Sequence, residues 1–185
     1  MARTREMLVP LNMYLSAGIH IGMNQRLKAM QSYIYKVRPD KLSVFDLQKI
    51  DERLAAAAKF LSQYEPKDIL AVSRKRNGHL PVVKFAEAIG GATAVYGRFM
   101  PGMLTNPNAQ NYFEPKVVIV TDSFADKQAV QEAYNANLPI IGICDTFNDP
   151  KFIDLVIPGN NKGKKSVALL YWIIAREYLK ARGEI

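Results

Sequence analysis

Residues 158–166 read PGNNKGKKS, between the apolar run FIDLVI (152–157) and the longest apolar stretch of the chain, VALLYWIIA (167–175). Strand, glycine loop and helix in that order, with Lys162, Lys164 and Lys165 at the helix start, is an arrangement that can cradle a phosphate on backbone amides. A nucleotide P-loop needs G-x-x-x-x-G-K-[ST]. Here three residues separate Gly159 from Gly163, Lys165 intrudes between Lys164 and Ser166, and no later strand follows to carry a metal-holding aspartate. The cradle depends on a fixed series of N–H directions, so one missing residue removes the nucleotide geometry. What survives is a helix start with free amides and three lysines, suited to a phosphate in a nucleic-acid backbone. The same turn also reads as a structural cap for the buried helix behind it.

Asp46, Asp122 and Asp145 each close a probable strand, the edge at which open α/β sheets bind ligands. Such carboxylates could hold Mg²⁺ or accept a phosphoryl group. The weightier expectation is that each caps a turn or a following helix, as Asp122 in VTDSFAD suggests. Nucleophilic chemistry finds little support. There is no GxSxG, and the single cysteine, Cys144, sits in an apolar run as a structural thiol. With two histidines, His20 and His79, a metal site would have to be mostly carboxylate. No catalytic residue, metal or cofactor is expected.

The basic residues form clusters. SRKRNG (73–78) sets Arg74, Lys75 and Arg76 just past a strand end, and Arg98 opens a long loop. Arg26, Lys28, Lys36 and Arg38 flank Tyr33 and Tyr35, Arg3 and Arg5 lie in the N-terminal arm, and Arg176, Lys180 and Arg182 lie on the last helix. Arginine and lysine neutralise phosphates, and exposed aromatics stack on bases. Tyr33 and Tyr35 are expected to pack on their own sheet. The net charge of +8 divides into +5 over residues 1–50, −1 over 51–160 and +4 over 161–185. A balanced middle with basic ends suggests a polyanionic partner. MARTREMLVP lacks the apolar segment of a signal peptide, and VALLYWIIA is too short to span a bilayer. Cytoplasm is therefore the expected compartment, with no membrane partner.

Alternating elements must position these groups. Pro10 to Ala17 reads as a short helix stopped by Gly18. YIYKV (33–37) and KLSVF (41–45) read as a hairpin about Arg38-Pro39-Asp40. DERLAAAAKFLSQY (51–64) reads as a helix with Leu54, Ala57, Ala58 and Leu61 inward and Asp51 and Glu52 at its positive start. DILAVS (68–73), ATAVY (92–96), KVVIV (116–120), PIIGIC (139–144) and FIDLVI (152–157) read as strands, several without alternation, as when both faces are covered. Helices are expected over 80–90, 126–135 and 164–182. Between them GRFMPGMLTNPNAQNYFEP (97–115) has no period, and its Phe99, Met100, Leu104 and Phe113 argue for an ordered loop. The expected fold is α/β, a parallel sheet with helices on both faces, as one domain over 1–185. Residues 1–40 form its basic helix and hairpin extension and 41–185 its core.

Several blocks carry a family resemblance: YLSAGIHIG (14–22), YIYKVRPDKLSVFDLQKIDERL (33–54), GRFMPGMLTNP (97–107), EPKVVIVTDSFADKQAVQEAYNANLPIIGICDT (114–146) and IPGNNKGKKSVALLYWIIAREYL (157–179). In this order the chain resembles the second protein family of the small ribosomal subunit, which includes the laminin-receptor precursor. Only about ten residues separate Asn106 from Lys116, without the coiled-coil insertion of bacterial members, so the archaeal type fits. The resemblance implies a three-layer, flavodoxin-like core, no catalytic activity, and no small-molecule substrate. It implies binding to small-subunit rRNA and neighbouring ribosomal proteins. The RNA-binding residues expected from the physics are Arg3, Arg5, Arg26, Lys28, Arg38, Arg74, Lys75, Arg76, Arg98, Lys162, Lys164 and Lys165. The competing reading is a phosphate- or nucleotide-handling α/β enzyme that uses the strand-end aspartates and the Gly/Lys loop.

Overall fold

A computed structural model describes residues 7–185, so the expectations for Arg3 and Arg5 lie outside the described residues. The apolar runs form a parallel sheet: β3 (Ile69–Ser73), β4 (Thr93–Tyr96), β5 (Val117–Val120), β6 (Ile140–Cys144) and β7 (Leu155–Pro158). Their order is β4-β3-β5-β6-β7, every neighbouring pair parallel. Counted within this sheet the order is 2-1-3-4-5, the flavodoxin-like winding, whose switch point lies between β3 and β5. These two strands and β6 are buried at every position, which is why their sequences do not alternate.

The two faces are covered unequally. Ile69, Ala71, Val117, Ile119, Ile141 and Ile143 point into a core closed by α2 (Leu47–Leu61), α3 (Arg76–Ala88) and α5 (Lys164–Arg182), with α1 (Leu11–Ala17) laid against α5. Leu70, Val72, Val118, Val120 and Ile140 point the other way, toward α4 (Lys127–Asn135) and the 97–115 loop. That loop is ordered without regular structure. Phe99 and Leu104 are buried, and the buried Glu132 of α4 accepts the amides of Gly102 (2.8 Å) and Leu104 (3.2 Å). Met100, expected to help order it, is half exposed.

Three element starts differ from the sequence reading by three or more residues. Helix α2 begins at Leu47, because Asp46 accepts the Gln48 amide as its cap. Asp51 therefore lies inside the helix, buried, accepting the Leu8 amide (3.0 Å) and the Tyr14 hydroxyl (2.6 Å). Burial and this carboxylate hold the Tyr14 phenol well above its ordinary pKa. Helix α3 begins at Arg76, and Pro81 lies within it. The last strand begins at Leu155, after a turn in which Phe152 takes φ 68°.

The hairpin, β1 (Ile34–Val37) and β2 (Ser43–Phe45), is antiparallel as expected. Its inner edge is tied to the preceding segment by the bonds from Gly22 N–H to Ser43 (2.9 Å) and from Phe45 N–H to His20 (2.8 Å).

Candidate nucleic-acid interface

The carboxyl ends of β3, β5 and β6 meet in a closed polar network. Asp126, 2% exposed, accepts the amides of Arg74 (2.7 Å) and Asp122 (3.1 Å). Burial pushes its pKa up to about 7 against the pull of those two N–H donors. Asp122 is fully buried, accepts the Phe124 amide (2.9 Å) and the Asn148 side-chain amide (2.6 Å), and forms an ion pair with Lys75. Asp145 accepts the Thr146 amide (2.6 Å), and burial raises its pKa despite that bond and the Lys162 charge. Asn148 accepts the Asp145 amide (2.9 Å) and the Asn161 side-chain amide (3.1 Å), while Asn161 also donates to the Ile143 carbonyl (3.1 Å). Gly78 lets the first turn of α3 approach this network, since a Cβ there would collide with the Ser73 side chain.

These carboxylates are engaged from within. Asp122 organises the turn after β5, as its sequence context suggested, and Asp46 stands apart as the cap of α2. Among the described residues no three His, Cys, Asp or Glu side chains are grouped to hold a metal ion. Cys144 is fully buried, and burial pushes its thiol up to about 12, the environment of a structural thiol.

Around this network the fold gathers basic segments that are far apart in sequence. Gly97 N–H bonds the Ser73 carbonyl (2.9 Å), which sets Arg98 beside Arg74. Asn77 donates to the Lys162 carbonyl (2.8 Å), which joins the start of α3 to the PGNNKGKKS turn. Leu27 N–H bonds the Thr146 carbonyl (2.8 Å), and the Thr146 hydroxyl donates to the Gln25 carbonyl (2.8 Å), which brings Arg26 and Lys28 to the same edge. Arg26, Lys28, Arg74, Arg76, Arg98, Lys162, Lys164 and Lys165 are exposed, and none forms an ion pair among the described residues. Lys75 differs: its ammonium is turned inward to Asp122, with Asn161 Oδ1 at 3.4 Å.

Of the two characters left open for the PGNNKGKKS turn, the structural cap is seen directly. Asn160 Oδ1 accepts the amides of Lys162 (2.9 Å) and Gly163 (3.0 Å), and Ser166 donates to the Asn160 carbonyl (2.7 Å). This is an asparagine-built cap. Helix α5 itself has no side-chain cap at Gly163, and Lys164 and Lys165 stand exposed on its first turn. The Lys162 ammonium lies over the Phe147 ring, 4.4 Å from its centre.

Two groups are not brought to this edge. Arg38 is on the hairpin, 3.7 Å from Asp40, near Tyr35 and Lys36. Tyr35 is 71% exposed, which corrects the expectation that it packs on its sheet; Tyr33 does pack against the core. Arg176, Lys180 and Arg182 form the second group. Arg176 pairs with Glu177 (2.7 Å) and covers Trp172, Lys180 pairs with Glu177 (3.0 Å), and Arg182 binds Glu184 (2.9 Å) and the Tyr64 carbonyl (3.2 Å). The sequence reading missed Asp126, Asn148, Asn160 and Asn161. The one available signal was the Asn-Asn pair in a turn, where asparagine side chains replace backbone partners.

Comparison with known proteins bears on this geometry. The model of the family described as ribosomal protein S2 matches residues 14–112 and 108–181. A Staphylothermus marinus protein named small ribosomal subunit protein uS2 is 51% identical over 178 residues, 96% of this chain and 80% of its own length. Proteins of the same name from Ignicoccus hospitalis and Nanoarchaeum equitans are each 49% identical, over 97% and 96% of this chain and 85% and 88% of their own lengths. The chain belongs to the ribosomal protein S2 family and is of its archaeal type.

Proposed function

We propose that this family member is a non-catalytic structural constituent of the small ribosomal subunit in the cytoplasm, and that it holds rRNA along the carboxyl edge of its parallel sheet. The observation that carries the RNA contact is the convergence there of exposed cations, without ion pairs among the described residues, from four separate segments: Arg26 and Lys28, Arg74 and Arg76, Arg98, and Lys162, Lys164 and Lys165. Each can neutralise a phosphate, and the lysines of the α5 start are reinforced by the helix dipole. The contacts are to backbone phosphates, so they position RNA by its shape. Arg3 and Arg5 add to the same binding from the N-terminal arm, and Arg38 reaches RNA from the hairpin. Lys75 acts indirectly, by fixing the turn that presents Arg74 and Arg76. Neighbouring ribosomal proteins meet the remaining surface, and residues 1–185 act as one ribosomal-protein domain, with 1–40 as its extension.

The test is binding of a small-subunit rRNA fragment across a salt series. Affinity should fall with a log–log slope of about −0.7 to −0.9 per phosphate neutralised. Reversing Arg74 and Arg76 to glutamate should flatten the slope and weaken subunit incorporation while leaving the melting temperature unchanged. A flat salt response in the wild-type protein would remove the proposal.

A further inference from the structure

Beside the cationic edge lies an aromatic patch that phosphate binding does not use. Phe124 is 77% exposed, the most exposed large apolar side chain among the described residues. It is not a loose surface ring. Its amide is fixed by Asp122 (2.9 Å), and its ring meets Phe147 edge-on, with centres 6.5 Å apart at 63°. Phe147 in turn carries the Lys162 ammonium 4.4 Å from its centre, so the patch is continuous with the lysine turn of α5. On the other side, a cleft of about 340 Å³ runs from Phe124 to Phe152, lined by Lys127, Gln131 and Lys151. Lys151 lies 4.9 Å over the Phe152 ring, and Phe152 is itself backed by Tyr134, with centres 4.3 Å apart.

We infer that this cleft is a stacking slot for an unpaired nucleobase of single-stranded RNA, with Phe124 as its platform. The inference rests on the rRNA-binding reading and goes beyond it, from phosphates to a base. Three features select this occupant. The volume is at the small end of ligand sites and suits one planar group. An aromatic face held on a fixed backbone loses little side-chain freedom when a base stacks on it, and stacking tolerates any base. The cleft is lined by two cations, Lys127 and Lys151, against one carboxylate, Asp149, and it joins the edge where the strand's phosphates would run, so net charge and path both favour an RNA single strand over an apolar peptide.

Affinities of the full chain for a labelled oligouridylate and for an RNA duplex test the slot. Phe124→Ala should weaken oligouridylate binding about 5- to 150-fold, the range for loss of one stacked base, with the salt slope unchanged. Duplex binding should stay within about twofold. Phe124→Trp should retain oligouridylate affinity and show indole quenching on binding. Unchanged oligouridylate binding by Phe124→Ala overturns the slot and leaves the phosphate edge standing if the salt slope persists. An equal loss for duplex and single strand also overturns it, because the side chain then supports the fold or the edge. Wild-type protein that binds neither RNA in a salt-dependent way overturns both readings.

Discussion

The carboxyl edge of the sheet and the N-terminal hairpin carry similar side chains under opposite physical conditions. At the edge, every charge near the strand ends is either buried with a partner or exposed on a turn that buried partners hold. Asp122, Asp126, Asn148 and Asn161 bind one another and the backbone, and only then do Arg74, Arg98 and Lys164 project outward. On the hairpin, Lys36, Arg38 and Tyr35 project into solvent from a two-stranded ribbon whose second strand alone buries side chains, Ser43 and Phe45. An internally bonded network in low dielectric fixes positions because an unpaired member is expensive. A solvated ribbon is not constrained in that way, since exposed ion pairs contribute little. The cations at the edge are thus held in a preorganised array, and those on the hairpin are not.

Substitutions should separate the two regions by the size of their effects. Asp122→Ala strands the Lys75 charge and leaves the Phe124 amide and the Asn148 side chain without their acceptor, and should cost about 3 kcal/mol in a urea titration. A loss near that of a surface substitution would mean the edge is no more locked than the hairpin. Gly78→Ala forces a Cβ into Ser73 and should cost about 1–3 kcal/mol, with rRNA affinity reduced because the Arg74–Arg76 turn shifts.

The network should also set a pH dependence. The Asp126 pKa is raised from 3.8 to about 7, so the folded state holds this proton more tightly than the unfolded chain does. Its contribution is fully present below pH 3.8 and is lost as pH rises through about 7; the raised pKa of Asp145 acts in the same direction. Melting temperature measured between pH 4 and 8 should therefore decline less steeply in Asp126→Asn than in the wild type. Equal slopes would show that the carboxylate is better compensated than its burial implies. The smallest effect belongs to the hairpin. Arg38→Ala should change stability by no more than about 0.5 kcal/mol and reduce the magnitude of the rRNA salt slope by about 0.9 at most.

Much of the fold was legible because its signals are local. Short unalternating β-branched runs such as VVIV and IIGIC suit strands covered on both faces, and the helical period of Val167, Leu170, Tyr171, Ile174 and Tyr178 places α5 correctly. Element starts were less legible where one side chain decides. Asp46 extended α2 backward, and the tight approach of Gly78 to Ser73 allowed α3 to begin at Arg76. The basic clusters were visible one by one, and the near-match to a P-loop could be set aside on its glycine spacing and the intruding Lys165. Their assembly was not visible, because it depends on bonds across long sequence separations, such as Asn77 to Lys162 and Leu27 to Thr146. Composition and period act within a few residues and so specify layers, strands and charge. Which cation turns inward, as Lys75 does, and which aromatic stays in solvent, as Tyr35 and Phe124 do, depends on partners that only the closed fold supplies.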